Sequence, residues 1–237
     1  SACLSGLSSW AILKPGRLKK CHAACCASNW GANGTSWSAR KPHPTVNVLM
    51  RIVGGEFGGT PLSAPKGRTT RPTGERTREA LFSILASQAD FSLARARVLD
   101  LFAGTGALGL EALSRGGDFC LFVENDTRVR GTLRDNCDAC GVLGRTKIYR
   151  RDATRLGPRV SSAGPVFNLV FADPPYGKKL ANAALDALAA GDWLAHDAIL
   201  VVEEDRRAGF EAPVGFTEIR RRSYGDTELV FLKFAGA

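Results

Sequence analysis

The sequence predicts an α/β fold in which a doubly wound, mostly parallel sheet carries a C-terminal antiparallel hairpin. Three observations predict it. From Arg97 onward, apolar runs of strand length alternate with stretches of helical spacing, the pattern of successive βαβ units. The first run, "RVLDLF", leads directly into Gly104-x-Gly106-x-x-Gly109, the glycine spacing of a tight strand-to-helix turn. Near the end, "FTEIRRRSYG" and "TELVFLKF" flank Tyr224-Gly225-Asp226, which supplies the turn chemistry of a hairpin.

The elements follow in order. Residues 50–62, "MRIVGGEFGGTPL", alternate apolar residues around glycine pairs and predict a short β-hairpin. Residues 63–78, "SAPKGRTTRPTGERTR", read as a basic, turn-rich arm. The spacing of Leu81, Phe82, Ile84 and Leu85 predicts a helix from Glu79 to about Ala89, with Thr73 or Thr77 as its cap. After the glycine loop come helix "ALGLEALSRG", strand "FCLFVEND", helix "TRVRGTLRDNCDACG" and strand "TKIYRRDA". "FNLVFADPPYG" is a further strand, followed by helix "KLANAALDALAAG", strand "AILVVEED" and the closing hairpin. The expected division is residues 1–49 as an extension without a fold of its own, 50–96 as hairpin, arm and helix, and 97–237 as the main domain.

The chain has 237 residues, 44% of them hydrophobic, which suits one packed domain with small additions. No stretch approaches the ~18 consecutive apolar residues of a membrane span, so no membrane partner is expected. Of the net charge of +9, six units lie in residues 1–49, which contain no acid. The remainder is only mildly basic, so a polyanion has to be met by a local patch. Cys120, Cys137 and Cys140 make no disulfide framework and fit a reducing cytosol. Residues 1–49 lack sustained periodicity and are rich in Ser, Ala, Gly and Cys. They read as translated sequence upstream of a start at Met50, as a transit peptide, or as a small cysteine-based metal site, although Cys25-Cys26 lacks zinc-knuckle spacing. The expected compartment is cytoplasmic, or an organelle if the segment is a transit peptide.

The glycines alone do not identify a ligand. In a dinucleotide fold the turn holds a pyrophosphate on a helix N-terminus. S-adenosylmethionine (SAM) has no phosphate; it carries a sulfonium beside an amino-acid group. A carboxylate before the loop suits that ligand, and Asp100 sits four residues before Gly104. The stretch Asp100, Phe102, Ala103, Gly104 and Gly106 is therefore the candidate cofactor loop. Glu124 closes the next strand, where a carboxylate can accept from ribose hydroxyls. Asp152, after the third strand, can reach an adenine amino group or serve as an ordinary turn residue.

A second motif distinguishes the chemistry. Asp173-Pro174-Pro175-Tyr176 ends a strand abruptly, because proline lacks the N–H a ladder needs. Strand C-terminal edges are where open sheets bind ligands. Asp173 and a carbonyl beside proline can accept both hydrogens of an exocyclic amine and aim its lone pair at a methyl group. Tyr176 offers a face on which a base can stack. Catalysis of this kind is mainly positioning, and no metal is expected. Arg68, Arg71, Arg76 and Arg78 crowd the arm, and arginine forks suit phosphates. Arg220, Arg221 and Arg222 alternate along a strand and read as a solvated face, and Cys137-x-x-Cys140 as a half-buried helix face.

"DPPY" with "DLFAGTG" resembles the methyltransferases that act on exocyclic amines of bases. "MRIVGGEFGGTPL", "RPTGERTREALFSIL", "VLDLFAGTGALGLEALSRG", "FNLVFADPPYG" and "RSYGDTELVFLKF" together resemble the bacterial small-subunit ribosomal RNA guanine-N2 methyltransferases. The resemblance runs from Met50 nearly to the C-terminus. It implies a class I (Rossmann-like) SAM-dependent enzyme that methylates N2 of a guanine in 16S-type rRNA, alone or within a small subunit or assembly particle. A monomer is expected. The resemblance also implies that Asp100, Gly104, Gly106 and Glu124 hold SAM, and that Asp173, Pro174 and Tyr176 hold the guanine. Gly58 departs from the family, where a basic residue usually follows "GGEF". The same motif would serve a DNA adenine-N6 or cytosine-N4 methyltransferase, although the chain leaves little room for a target-recognition domain. A non-catalytic, SAM-binding rRNA assembly factor is the alternative outside enzymes, and an NAD oxidoreductase is more distant.

Overall fold

The computed structural model describes residues 50–65, 74–175 and 180–236. Two short strands, β1 (Met50–Arg51) and β2 (Pro61–Leu62), pair antiparallel and form the N-terminal hairpin. Helix α1 spans Glu75–Ala86. It starts four residues earlier than the apolar spacing indicates, because that spacing marks only the buried face and the first turn is polar. Gly74 holds the N-cap position with no side-chain cap, so Thr77 does not play that part, and Thr73 lies outside the described residues.

The main sheet has seven strands. β3 (Arg97–Leu101), β4 (Phe119–Val123), β5 (Thr146–Tyr149), β6 (Phe167–Ala172) and β7 (Leu194–Asp205) are parallel, and β8 (Phe216–Tyr224) and β9 (Thr227–Phe234) add the antiparallel hairpin. Their order is β5-β4-β3-β6-β7-β9-β8. The chain leaves β3 toward β4 on one side and later returns to its other side as β6. That reversal opens a crevice at the strand C-termini. β7 is longer than "AILVVEED" because Leu194 also pairs with Phe167, across an irregularity in the β6–β7 register.

Among the described residues, three more α-helices cover the sheet: α2 (Ala107–Ser114), α3 (Thr127–Ala139) and α4 (Leu180–Ala190). Alternate strand residues feed two cores. Val98, Phe122, Phe171 and Val201 pack with Leu81, Phe82, Leu85, Leu110 and Leu133 on one face. Leu99, Leu121, Val170 and Leu200 pack with Leu185, Leu188 and Trp193 on the other. No described helix is long and apolar enough to cross a membrane.

Buried polar side chains fasten the N-terminal hairpin to this body. Glu111 on α2 accepts from the Val53 and Gly54 amides (2.7 and 2.9 Å) and from Arg115 Nε (2.8 Å). Ser114 Oγ accepts from the Phe57 amide (2.9 Å) and donates to the Gly54 carbonyl (2.5 Å). Arg221 on β8 pairs with Glu218 and Glu228 (both 2.6 Å), while Arg220 and Arg222 remain at the surface. Cys137 and Cys140 are both buried, deeper than a half-buried face.

Candidate active site

The register of the parallel strands sets the site. Leu101 is level with Val123 on one side and Ala172 on the other. The next residues, Phe102, Glu124 and Asp173, therefore emerge together at the C-terminal rim. They line a cleft of about 930 Å³ with Asp100, Ala103, Gly104, Asp152 and Pro174. Residues far apart in sequence thus meet in one crevice of the size that takes a small-molecule cofactor.

The glycine loop is held from three directions. Asp100 Oδ2 accepts from the Gly109 amide in the first turn of α2 (2.9 Å). Glu124 Oε2 accepts from the Gly104 amide (3.0 Å), and its Oε1 from the Asp126 amide (2.8 Å). Asn136 Nδ2 donates to the Thr105 carbonyl (2.9 Å). Asp100 and Glu124 therefore shape the loop as well as facing the cleft. Phe102 adopts φ +56°, a left-handed conformation that is strained for a residue with a side chain. Gly106 sits behind the cleft as the α2 N-cap at φ +80°, where a Cβ would lie 2.3 Å from Leu133 Cδ1. Backbone shape and packing both call for glycine at that position.

Burial and charge perturb two carboxyls. The Asp100 carboxyl is pushed up to about 8, chiefly by burial and further by the nearby Glu124 charge, against the opposing Gly109 hydrogen bond. Asp173 is raised well above the usual carboxylate range by desolvation and by the charges of Glu203, Asp100 and Glu204. Asp152 is lowered, because Thr154 donates to it through both hydroxyl (2.7 Å) and amide (2.9 Å). Asp152 thus caps the turn after β5 while facing the cleft.

The arginine cluster divides. Arg68 and Arg71 lie outside the described residues, as does Tyr176. Arg76 is exposed on α1. Arg78 is 1% exposed, and its Nη2 donates to the Arg51 carbonyl (2.6 Å). Its Nε lies 4.0 Å from Glu111, and it borders the cleft. Two residues along the helix from exposed Arg76, about half a turn, carry this guanidinium into the core, so Arg78 is not a surface member of the arm cluster. Burial lowers its affinity for its proton, opposed by Glu111, Glu75 and Glu203.

Sequence reasoning passed over Glu111 and Asn136. A signal existed for Glu111, an acid within an otherwise apolar helix, "ALGLEAL". Asn136 offered none, since asparagine in a polar-looking helix is unremarkable until its partners are known.

Comparison with known proteins agrees with this architecture. Residues 50–233 match the family described as Conserved hypothetical protein 95. The ribosomal RNA small subunit methyltransferase D of Escherichia coli K12 is 35% identical over 170 residues, covering 72% of this chain and 82% of that protein. YlbH of Bacillus subtilis is 34% identical over 188 residues, covering 79% of this chain and all of YlbH. The solved structure of yhhF from Escherichia coli superposes with a TM-score of 0.67 at 30% identity, covering 79% of this chain and 99% of that one. A structure from Thermus thermophilus gives 0.61 at 28% identity, covering 80% and 100%. The sheet is that of the class I SAM methyltransferases, and the chain belongs to the family of ribosomal RNA small subunit methyltransferase D.

Proposed function

We propose that the protein transfers a methyl group from SAM to the exocyclic N2 of a guanine in small-subunit ribosomal RNA. The observation that carries this reading is the position of Asp173, which leaves β6 beside the glycine loop and in the same cleft as Asp100 and Glu124. The cleft fits the cofactor in chemistry: carboxylates border it at the ends of β3, β4, β5 and β6, as suits a ligand with a cationic amino-acid end and ribose hydroxyls. Asp100 is assigned to the ammonium end, Glu124 to the ribose and Asp152 to the adenine, with Phe102, Ala103 and Gly104 as the backbone walls.

When bound, SAM supplies a methyl group already activated for displacement. The protein's part is alignment. Asp173 accepts from the target amine and turns its lone pair toward the methyl group. Because its surroundings disfavour the charged carboxylate, Asp173 is also suited to take the proton that the amine releases. Pro174, buried after the strand end, holds the Asp173 backbone to one conformation. Tyr176 is assigned to stacking on the guanine from its place in the motif. The target base has to leave its helix or lie in a loop to reach this cleft. Residues 50–96 serve as the RNA-facing module and 97–237 as the transfer domain, acting as a monomer in the cytoplasm.

Labelled SAM should be offered to unmodified small ribosomal subunits, naked small-subunit rRNA and duplex DNA. Label in either small-subunit substrate, abolished by Asp173→Ala with SAM affinity retained, is the expected result. Label only in DNA overturns the assignment of substrate. SAM binding with no transfer to any of them overturns the assignment of activity.

A further inference from the structure

Asn136 is a polar side chain in an apolar place. It lies on α3 near the helix end, 1% exposed, beside buried Leu133 and Cys137. Its amide joins two segments distant in sequence. Oδ1 accepts from the Ser63 amide (2.8 Å), and Nδ2 donates to the carbonyls of Ser63 (3.1 Å) and Thr105 (2.9 Å). Both amide hydrogens and one oxygen lone pair are thereby used. The paired bonds to Ser63 fix the plane of the amide, and that plane aims the third bond at Thr105.

One end of this bridge, Thr105, lines the cleft, and the other, Ser63, lies two residues from Pro65, which also lines it. Thr105 sits between Gly104 and Gly106, each in the left-handed region at φ +56° and +80°. Ser63 follows β2 and leads to Pro65, and Met50, Pro65, Gly104 and Thr105 all line the same cleft. The Thr105 hydroxyl also contacts Met50 Sδ (3.7 Å). One cleft wall thus belongs to the N-terminal segment and the adjoining wall to the glycine loop. A displacement of either by about an ångström breaks a hydrogen bond of Asn136 and leaves a buried polar group without its partner. The two walls therefore move together.

We infer that Asn136 is a positioning residue that couples the glycine loop to the N-terminal segment, so that cofactor and RNA each strengthen the binding of the other. The inference rests on the proposed SAM-dependent methylation of RNA. By linkage the two enhancements are equal, whatever structural path carries them. Asn136 touches neither ligand; it acts through Thr105 and Ser63.

The test uses the full chain, S-adenosylhomocysteine and unmodified small ribosomal subunits. Affinity for each is measured with and without the other. In the wild type each ligand should tighten the other by the same factor, about fivefold or more. Asn136→Asp keeps the side-chain volume and the acceptor for the Ser63 amide; ionised it offers no donor to either carbonyl, and protonated it offers only one. Asn136→Leu removes all three bonds. In both variants the coupling factor should fall to about one, whatever each separate affinity becomes. A purely structural role would lower stability and both separate affinities without abolishing the factor. A coupling factor near one in wild-type protein that methylates the subunits overturns the inference, and needs no variant to fold. So does an unchanged factor in the variants. If the wild type methylates no small-subunit RNA, the proposed function fails and takes this inference with it; loss of coupling with methylation intact leaves that function standing.

Discussion

Asp100 and Gly109 are joined across the glycine loop: Asp100 Oδ2, at the end of β3, accepts the Gly109 amide of α2 at 2.9 Å inside the core. This bond holds the strand, the turn and the helix N-terminus in one geometry. It also places a desolvated carboxyl at the cleft floor.

The Asp100 carboxyl is raised to about 8 by burial and by Glu124. In the unfolded chain it titrates near about 4. The folded, unliganded protein therefore keeps this proton where the unfolded chain has released it. Its contribution to stability is fully present below about pH 4 and is lost as pH rises through about 8. A cationic ligand favours the ionised form. SAM affinity should accordingly rise from about pH 6 to about pH 8.5, with net proton release on binding at neutral pH. Calorimetry in buffers of different ionisation enthalpy measures that release. Asp100→Asn should flatten the pH profile, and a flat wild-type profile without proton release would contradict the assignment.

Gly109 is a point of close approach between α2 and β4. A Cβ there would lie 2.4 Å from Phe122 Cε1 and 2.6 Å from Cys120 Sγ. Gly109→Ala should cost about 1–3 kcal/mol by overpacking and weaken SAM binding through displacement of the loop. Denaturant unfolding and ligand titration would show both effects.

Arg76 and Arg78 should fail differently. Arg76→Ala, at an exposed position, should leave stability within about 0.5 kcal/mol. If Arg76 meets a phosphate, its loss should lower the salt dependence of RNA binding by about one unit of slope. Arg78→Ala removes a buried guanidinium that holds the Arg51 carbonyl, and should lower the melting temperature. Thermal unfolding beside a salt titration of RNA affinity separates the two.

Glu111 is the anchor of the N-terminal hairpin. Glu111→Ala leaves the Val53 and Gly54 amides and Arg115 without their acceptor. The expected loss is about 3–5 kcal/mol, with the hairpin becoming the first site of limited proteolysis. Unchanged protection there would show that apolar packing alone seats the hairpin.

The sheet and the glycine loop are legible in the sequence because their signals are local: strand-length apolar runs, glycine spacing and prolines that stop a strand. Asp100, Glu124 and Asp173 are legible for the same reason, each standing at or just past the end of an apolar run. The fate of the arm residues is not. Arg78 reads as one of four arm arginines, and only its partners Arg51 and Glu111, 27 and 33 positions away, show that it is buried. Asn136 and Ser63 are likewise 73 residues apart. Such pairings leave no periodicity, so a buried polar bridge looks like an ordinary surface residue. The start of α1 is hidden because a polar first turn carries no apolar pattern.

The measurement that tests the central proposal most directly is nucleoside mass spectrometry of small-subunit rRNA after incubation of unmodified subunits with SAM and either wild-type protein or Asp173→Ala. One added methyl group per subunit, found as N2-methylguanosine and absent with the variant, is the expected result. A methyl group on another base, or the same N2-methylguanosine formed equally by the variant, would contradict it.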